Sequence, residues 1–158
     1  MSRKKTVLMV FVVSALLLFV EYLVASAIAF DEGKGKIRKF SFVTADDLVS
    51  TGSSTFVEVP DMTVNIKTRR RGPVIIRFCG ASNTDGTGGS MRVKAQLDGV
   101  DVSFGEIQFA VESVRLPHCF TWVAPDVLPG THTATILWRK VTGGTAFVQA
   151  RSLVVEGR

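Results

Sequence analysis

Arg92-Val93-Lys94-Ala95-Gln96-Leu97-Asp98-Gly99 decides the fold class. Its apolar residues fall at every second position. An extended chain therefore carries Val93, Ala95 and Leu97 on one side and Arg92, Lys94 and Gln96 on the other. Asp98-Gly99 closes the run with a strong hairpin signal. Met62, Val64 and Ile66 alternate in the same way with Thr63, Asn65 and Lys67, and Ala134, Ile136 and Trp138 with Thr133, Thr135 and Arg139, Leu137 being the exception. Each pattern is a strand with a core side and a polar side. The segments 74–79 and 119–123 are apolar on both faces. They fit central strands, or strands with one face against a partner subunit. Shorter strands are expected near 39–44, 54–59, 100–104, 107–116 and 146–155. Pro60-Asp61, Pro129-Gly130 and Gly143-Gly144 mark further turns. The longest loop, 82–90, is rich in Ser, Asn, Gly and Asp, lacks an apolar anchor and reads as mobile. Nine or ten short strands without a persistent helical period predict an all-β, two-sheet β-sandwich of jelly-roll topology.

The first 29 residues read differently. Arg3, Lys4 and Lys5 precede an apolar run from Val7 to Val20, and Ala25-Ser26-Ala27-Ile28-Ala29 follows. This is the layout of a secretory signal peptide, with a helical apolar segment and a small-residue cleavage site. Ala27 and Ala29 suit a cut before Phe30, and Ala25 and Ala27 a cut before Ile28. An uncleaved signal anchor is the alternative, since residues 6–29 are long enough to span a bilayer. Glu21 disfavours it, because a carboxylate deep in a spanning helix costs about 2.5–3.5 kcal/mol. Either way the rest lies outside the cytoplasm, secreted or anchored. The domain plan is 1–29 as export segment, 30–39 as a charged flexible lead-in and 40–158 as the sandwich.

Composition narrows the function. The net charge of +5 falls to +3 without residues 1–29. That is too mild for a nucleic-acid binder, which needs a basic stripe with interleaved aromatics. Arg69-Arg70-Arg71 is the one basic cluster, in an expected turn at 68–73. It is a candidate contact for an anion or a surface polymer. Cys79 and Cys119 both fall in the exported part, where two thiols commonly pair. Two separate buried thiols are the other option.

Catalytic groups do not assemble in the sequence. His118 adjoins Cys119, but neighbouring strand residues point to opposite faces, so imidazole and thiol cannot meet. His132 heads a strand. Two histidines and two cysteines make a poor zinc set, and the acids are scattered rather than paired across a cleft. No catalytic residue and no cofactor is expected. Calcium is a weak candidate at Asp85, in Asn83-Thr84-Asp85-Gly86, and at Asp98 to Asp101. The only tyrosine, Tyr22, lies in the export segment. Trp138 falls on a core side, which leaves Trp122 as the tryptophan available for a ligand or subunit surface.

The second half carries a run of short motifs: Leu97-Asp98-Gly99, Phe120-Thr121-Trp122-Val123, Leu128-Pro129-Gly130-Thr131-His132-Thr133, Leu137-Trp138-Arg139, Gly143-Gly144-Thr145-Ala146 and Arg151-Ser152-Leu153-Val154-Val155. Over residues 55–156 this resembles the small jelly-roll or C1q/TNF-like sandwich domains of bacterial exported proteins and phage tail or fibre proteins. The resemblance implies adhesion, display or self-assembly, often as homo-oligomeric trimers. The expected function is therefore non-catalytic binding at a cell surface. A carbohydrate-binding module is the first alternative and a small secreted hydrolase the second. The expected partners are a polysaccharide or surface protein, with the membrane touched only through an uncleaved N-terminal segment.

Overall fold

The computed structural model describes residues 39–158 apart from 87 and 112, and the export segment with its cleavage site at Ala27 and Ala29 lies outside the described residues. Ten strands follow one another: β1 (Lys39–Ala45), β2 (Val49–Thr51), β3 (Val57–Thr68), β4 (Gly72–Thr84), β5 (Ser90–Leu97), β6 (Val100–Asp101), β7 (Ile107–Val111), β8 (Leu116–Val127), β9 (Gly130–Thr142) and β10 (Ala146–Gly157). They form two antiparallel sheets. Sheet A runs β1-β10-β4-β8, with β2 also paired to β10. Sheet B runs β3-β9-β5-β6, with β7 also on β5. Taking β7 rather than the two-residue β6 as the outer strand, the two orders β1-β10-β4-β8 and β3-β9-β5-β7 are those of a jelly roll.

Alternation explains which face each strand buries. Val93, Ala95 and Leu97 of β5 meet Ala134, Ile136 and Trp138 of β9 inside sheet B. Val74, Ile76 and Phe78 of β4 face Trp122 of β8 and Leu153 and Val155 of β10 inside sheet A. These side chains make one continuous core between the sheets. The turn at Asp98-Gly99 has positive φ at both residues (53° and 79°) between the paired Leu97 and Val100. That is the two-residue geometry whose twist matches its strands.

Several sequence expectations change; the strand expected at 100–104 is only Val100–Asp101, and the loop expected at 82–90 begins after β4 ends at Thr84. Pro60-Asp61 is no turn between strands; it lies in a bulge that lets β3 continue across it, with Asp61 at φ 62°. Segment 119–123 belongs to an edge strand rather than a central one. The segment expected as one strand at 107–116 divides into the whole of β7 and the start of β8.

Cys79 and Cys119 stand opposite each other on β4 and β8, 4.1 Å apart at Cα, and are joined as a disulfide. Phe78 points inward, so the cystine lies on the outer face of sheet A, with Cys119 exposed. It closes a loop with a sequence separation of 40 residues. The chain-entropy model credits such a loop with about 4 kcal/mol.

A second bulge lies in β10, between Gln149 and Ser152, with Ala150 at φ 47°. The extra residue shifts the alternation, so Val148, Arg151 and Leu153 all face inward. Gly80 makes room beneath it, since a Cβ there would come within 2.6 Å of Val148. Arg151 is fully enclosed. Its guanidinium donates to the carbonyls of Pro60 (3.1 Å) and Asp47 (2.7 Å) and pairs with the carboxylates of Asp61 (3.2 Å) and Asp47 (3.0 Å). It therefore joins the β10 bulge in sheet A to the β3 bulge in sheet B. Replacing Arg151 by Met strands two carbonyls and should cost on the order of 2–5 kcal/mol. Urea unfolding should show this as a lower midpoint at unchanged slope, and Arg151→Lys should recover less than half of the loss.

Candidate functional site

The outer face of sheet B is polar and hydrogen-bonded across its strands. Thr63 of β3 stands opposite Thr135 of β9, with the two hydroxyls 3.2 Å apart. Asn65 accepts a 2.8 Å bond from the Thr133 hydroxyl. Gln96 and Lys94 of β5 both donate to Asp101, at 2.8 Å each. Alternation produces most of this face, because outward residues such as Thr63, Asn65, Thr133 and Thr135 are the polar partners of inward apolar ones, with Leu137 the apolar exception.

Charge is paired at one end of the face. Glu106 accepts from Arg139 (2.9 Å) and from Arg92. Burial resists its ionisation, but these bonds and charges outweigh it and hold its carboxyl below the usual range. Phe56 lies beneath Lys94 (4.6 Å) and Arg139 (5.1 Å) in cation–π contact. The loop that carries Glu106 also carries Phe104, 75% exposed and at φ 77°. A bulky side chain in that region is an outlier held by its surroundings. Those surroundings are visible: Ser103 donates to the Val123 carbonyl, and Gly105 accepts from the Trp122 indole at 3.2 Å. Phe104 gave no signal in the sequence, where it interrupts no pattern and completes no motif.

The residues singled out in the sequence are dispersed. Trp122 has 0% exposure and packs edge-on against Phe120, with centroids 4.8 Å apart. Its indole is core, and no ligand surface exists there. The reason is that the 102–106 loop closes over the inner side of β8. Arg69, Arg70 and Arg71 lie in the β3–β4 turn. Arg71 is engaged with Asp126, whose carboxyl is held low first by that bond, while the amides of Arg69 and Arg70 bond the Arg158 carbonyl. Asp85 does not stand open for calcium. Its carboxylate accepts from the Thr145 amide and fills the space a Cβ on Gly144 would need. This bond, with the Asp85 amide to the Thr145 carbonyl at 2.9 Å, ties the 85–89 loop to the 143–145 turn. No group of three or more metal-binding side chains occurs among the described residues.

Both histidines serve as ties. His118 Nδ1 lies 2.9 Å from the Ser82 hydroxyl, and its ring leans on Phe109. Ser82 is fully buried, so this pair offers no nucleophile to a substrate. His132 bonds Asp98 through Nδ1 (2.7 Å) and the Leu128 carbonyl through Nε2 (2.9 Å). Both partners are acceptors, so both bonds are made together only when the ring is the imidazolium. The Asp98 bond is the main reason its pKa is raised. For Asp98, burial opposes ionisation, and the bonds from His132 and the Thr133 amide overcome it to lower the pKa.

No family model matches the chain, and no curated protein matches it. Among solved structures, the VP2 subviral particle of infectious bursal disease virus is similar at a TM-score of 0.53 and 16% identity, over 78% of this chain and 33% of the viral one. The Gx strain of that virus gives 0.51 and 15%, over 77% and 32%. The chain thus spans about a third of the length of the viral chains it matches. The CBM36-1 domain of a multidomain xylanase from the hindgut metagenome of Trinervitermes trinervoides is similar at 0.41 and 15%, over 76% of this chain and 98% of that one. The viral matches show a shared sandwich fold.

The His132 tie sets a pH dependence. Its folded pKa lies above the unfolded value of about 6.5, so its contribution is complete below that pH and lost as pH rises through the folded pKa. Thermal unfolding of the wild type should show Tm falling as pH rises from about 6.5 through the folded pKa. His132→Gln should flatten the fall and leave Tm lower on the acidic side.

Proposed function

We propose that the chain is a non-catalytic sandwich domain that works outside the cytoplasm by binding a hydroxyl-rich polymer across the outer face of sheet B. The observation that carries this reading is Phe104, exposed and held at positive φ in the loop whose Glu106 pairs with Arg92 and Arg139 of that face. A left-handed non-glycine residue costs on the order of 1 kcal/mol, and such strain persists where function keeps the side chain. The face beside it offers alternating hydroxyl, amide and charged groups, which donate and accept as sugar hydroxyls do. An aromatic side chain at the rim adds an apolar surface for a sugar ring. The cystine supports the exported setting, because disulfides persist in oxidising compartments.

Phe104→Gly separates binding from folding. It relieves the strained φ, so Tm should hold or rise. Affinity electrophoresis through native gels cast with a panel of plant and bacterial polysaccharides should show wild-type retardation by at least one polymer. Phe104→Gly and Thr133→Val should each reduce it several-fold. A wild type that no polymer retards, or retardation that survives both substitutions, would sink the reading.

Self-association is the second reading, favoured by β1. Among the described residues this edge strand is unpaired on one side, and its exposed Phe40 and Phe42 stack with centroids 6.2 Å apart. Unblunted edges of this kind pair with further chains. Sedimentation velocity should then show a concentration-dependent oligomer, reduced to monomer by Phe42→Lys. A wild-type monomer at the highest soluble concentration rejects it.

A further inference from the structure

Basic side chains collect at the end of the sandwich where the chain enters. Lys39 opens β1 opposite Gly157, Lys67 lies one residue from the end of β3, and Arg69 and Arg70 follow in the exposed turn. The Arg69 amide donates to the Arg158 carbonyl at 2.9 Å and the Arg70 amide at 3.4 Å, which fixes the turn against the end of β10. Lys39, Phe40, Ser41, Ile66 and Lys67 line a cleft of about 400 Å³ between β1 and β3. Among the described residues, the ion pairs nearby engage Arg71 with Asp126 and His132 with Asp98. Lys39, Lys67, Arg69 and Arg70 are in none. Two exposed apolar groups share this end: Phe40 at 65% and Leu128, in the β8–β9 turn, at 61%.

The covalent chain supplies the direction. Lys34, Lys36 and Arg38 precede Lys39, and the apolar run of the export segment precedes them. Residues 30–38 extend at most about 30 Å. The apolar run is thus joined to the sandwich through β1, at this end. Basic groups flanked by exposed apolar ones are the combination that binds a charged bilayer interface.

We propose that this basic end docks on an anionic phospholipid surface. A headgroup phosphate sits in the cleft between the Lys39 and Lys67 ammonium groups, with the Ser41 hydroxyl as a further donor. Arg69 and Arg70 add charge at the rim, and Phe40 and Leu128 settle at the level of the headgroups. Lys67 stands at the end of the sheet B face discussed above, but Phe104 and Thr133 play no part here, so the two proposals are tested by different residues.

Lysine reactivity tests this on the full chain. The protein is reconstituted into vesicles of phosphatidylcholine, alone or mixed with phosphatidylglycerol, and acylation at each lysine is followed by mass spectrometry. Lys140, near the opposite end of the sandwich, is the internal reference. Lys39 and Lys67 should react slower by a factor on the order of ten in the mixed vesicles. Lys140 should not change. High salt should erase the difference, because the attraction is screened. Arg69→Glu with Arg70→Glu should erase it too, while leaving both probe lysines in place and the Lys140 rate unchanged. Equal rates for Lys39 and Lys67 in the two vesicles would overturn the proposal. Equal slowing by glycerol phosphate with phosphatidylcholine vesicles would overturn it as well, and would assign the cleft to a free phosphate.

Discussion

The enclosed guanidinium of Arg151 is the constraint around which the two sheets are arranged. A cation with no access to water must find its acceptors within the protein. Here they come from Pro60, Asp61 and Asp47, two of them in the β3 bulge and one in the loop after β1. Two bulges in different sheets must therefore lie over each other. The requirement reaches further, because Gly80 must lack a side chain for the β10 bulge to seat. Hydrophobic burial drives the sheets together without direction. This polar link supplies a register that burial alone leaves open.

The same economy of polar groups shapes the surface. Glu106 is shared by two arginines, Asp101 by Lys94 and Gln96, Asp98 by His132 and Thr133, and Asp85 by the amide of Thr145. Groups that a sequence reader would offer to metals or protons are thus occupied in holding loops. What stays open is of another kind: a flat polar sheet face, an exposed phenylalanine in a strained backbone, an unpaired edge strand and a basic end.

The likeness to viral capsid sandwiches fits this picture at the level of fold. Paired strands make a rigid support, and loops and faces carry the differences between such domains. In this chain the differences are Phe104 on one side and the lysine-lined cleft on another. Neither belongs to the motifs at Leu97-Asp98-Gly99 or at 128–133, which the structure uses for a hairpin turn and a histidine tie.

Alternation with period two was enough, by itself, to determine the all-β class, the inward and outward residues of β5 and β9, the Asp98-Gly99 hairpin and the core position of Trp138. Those features depend on neighbours in the chain, and a side chain's face follows from its parity. The pairing of Cys79 with Cys119 was legible as one of two options, since compartment and count favour it. Parity fails where a bulge shifts it, so the inward turn of Arg151 and the continuation of β3 past Pro60 were decided by tertiary contacts. Parity also says nothing of which face a loop covers. Trp122 and Phe104 show this most clearly. The 102–106 loop closes over the indole and, in the same turn, holds the phenylalanine out in solvent, an exchange fixed by long-range hydrogen bonds to β8.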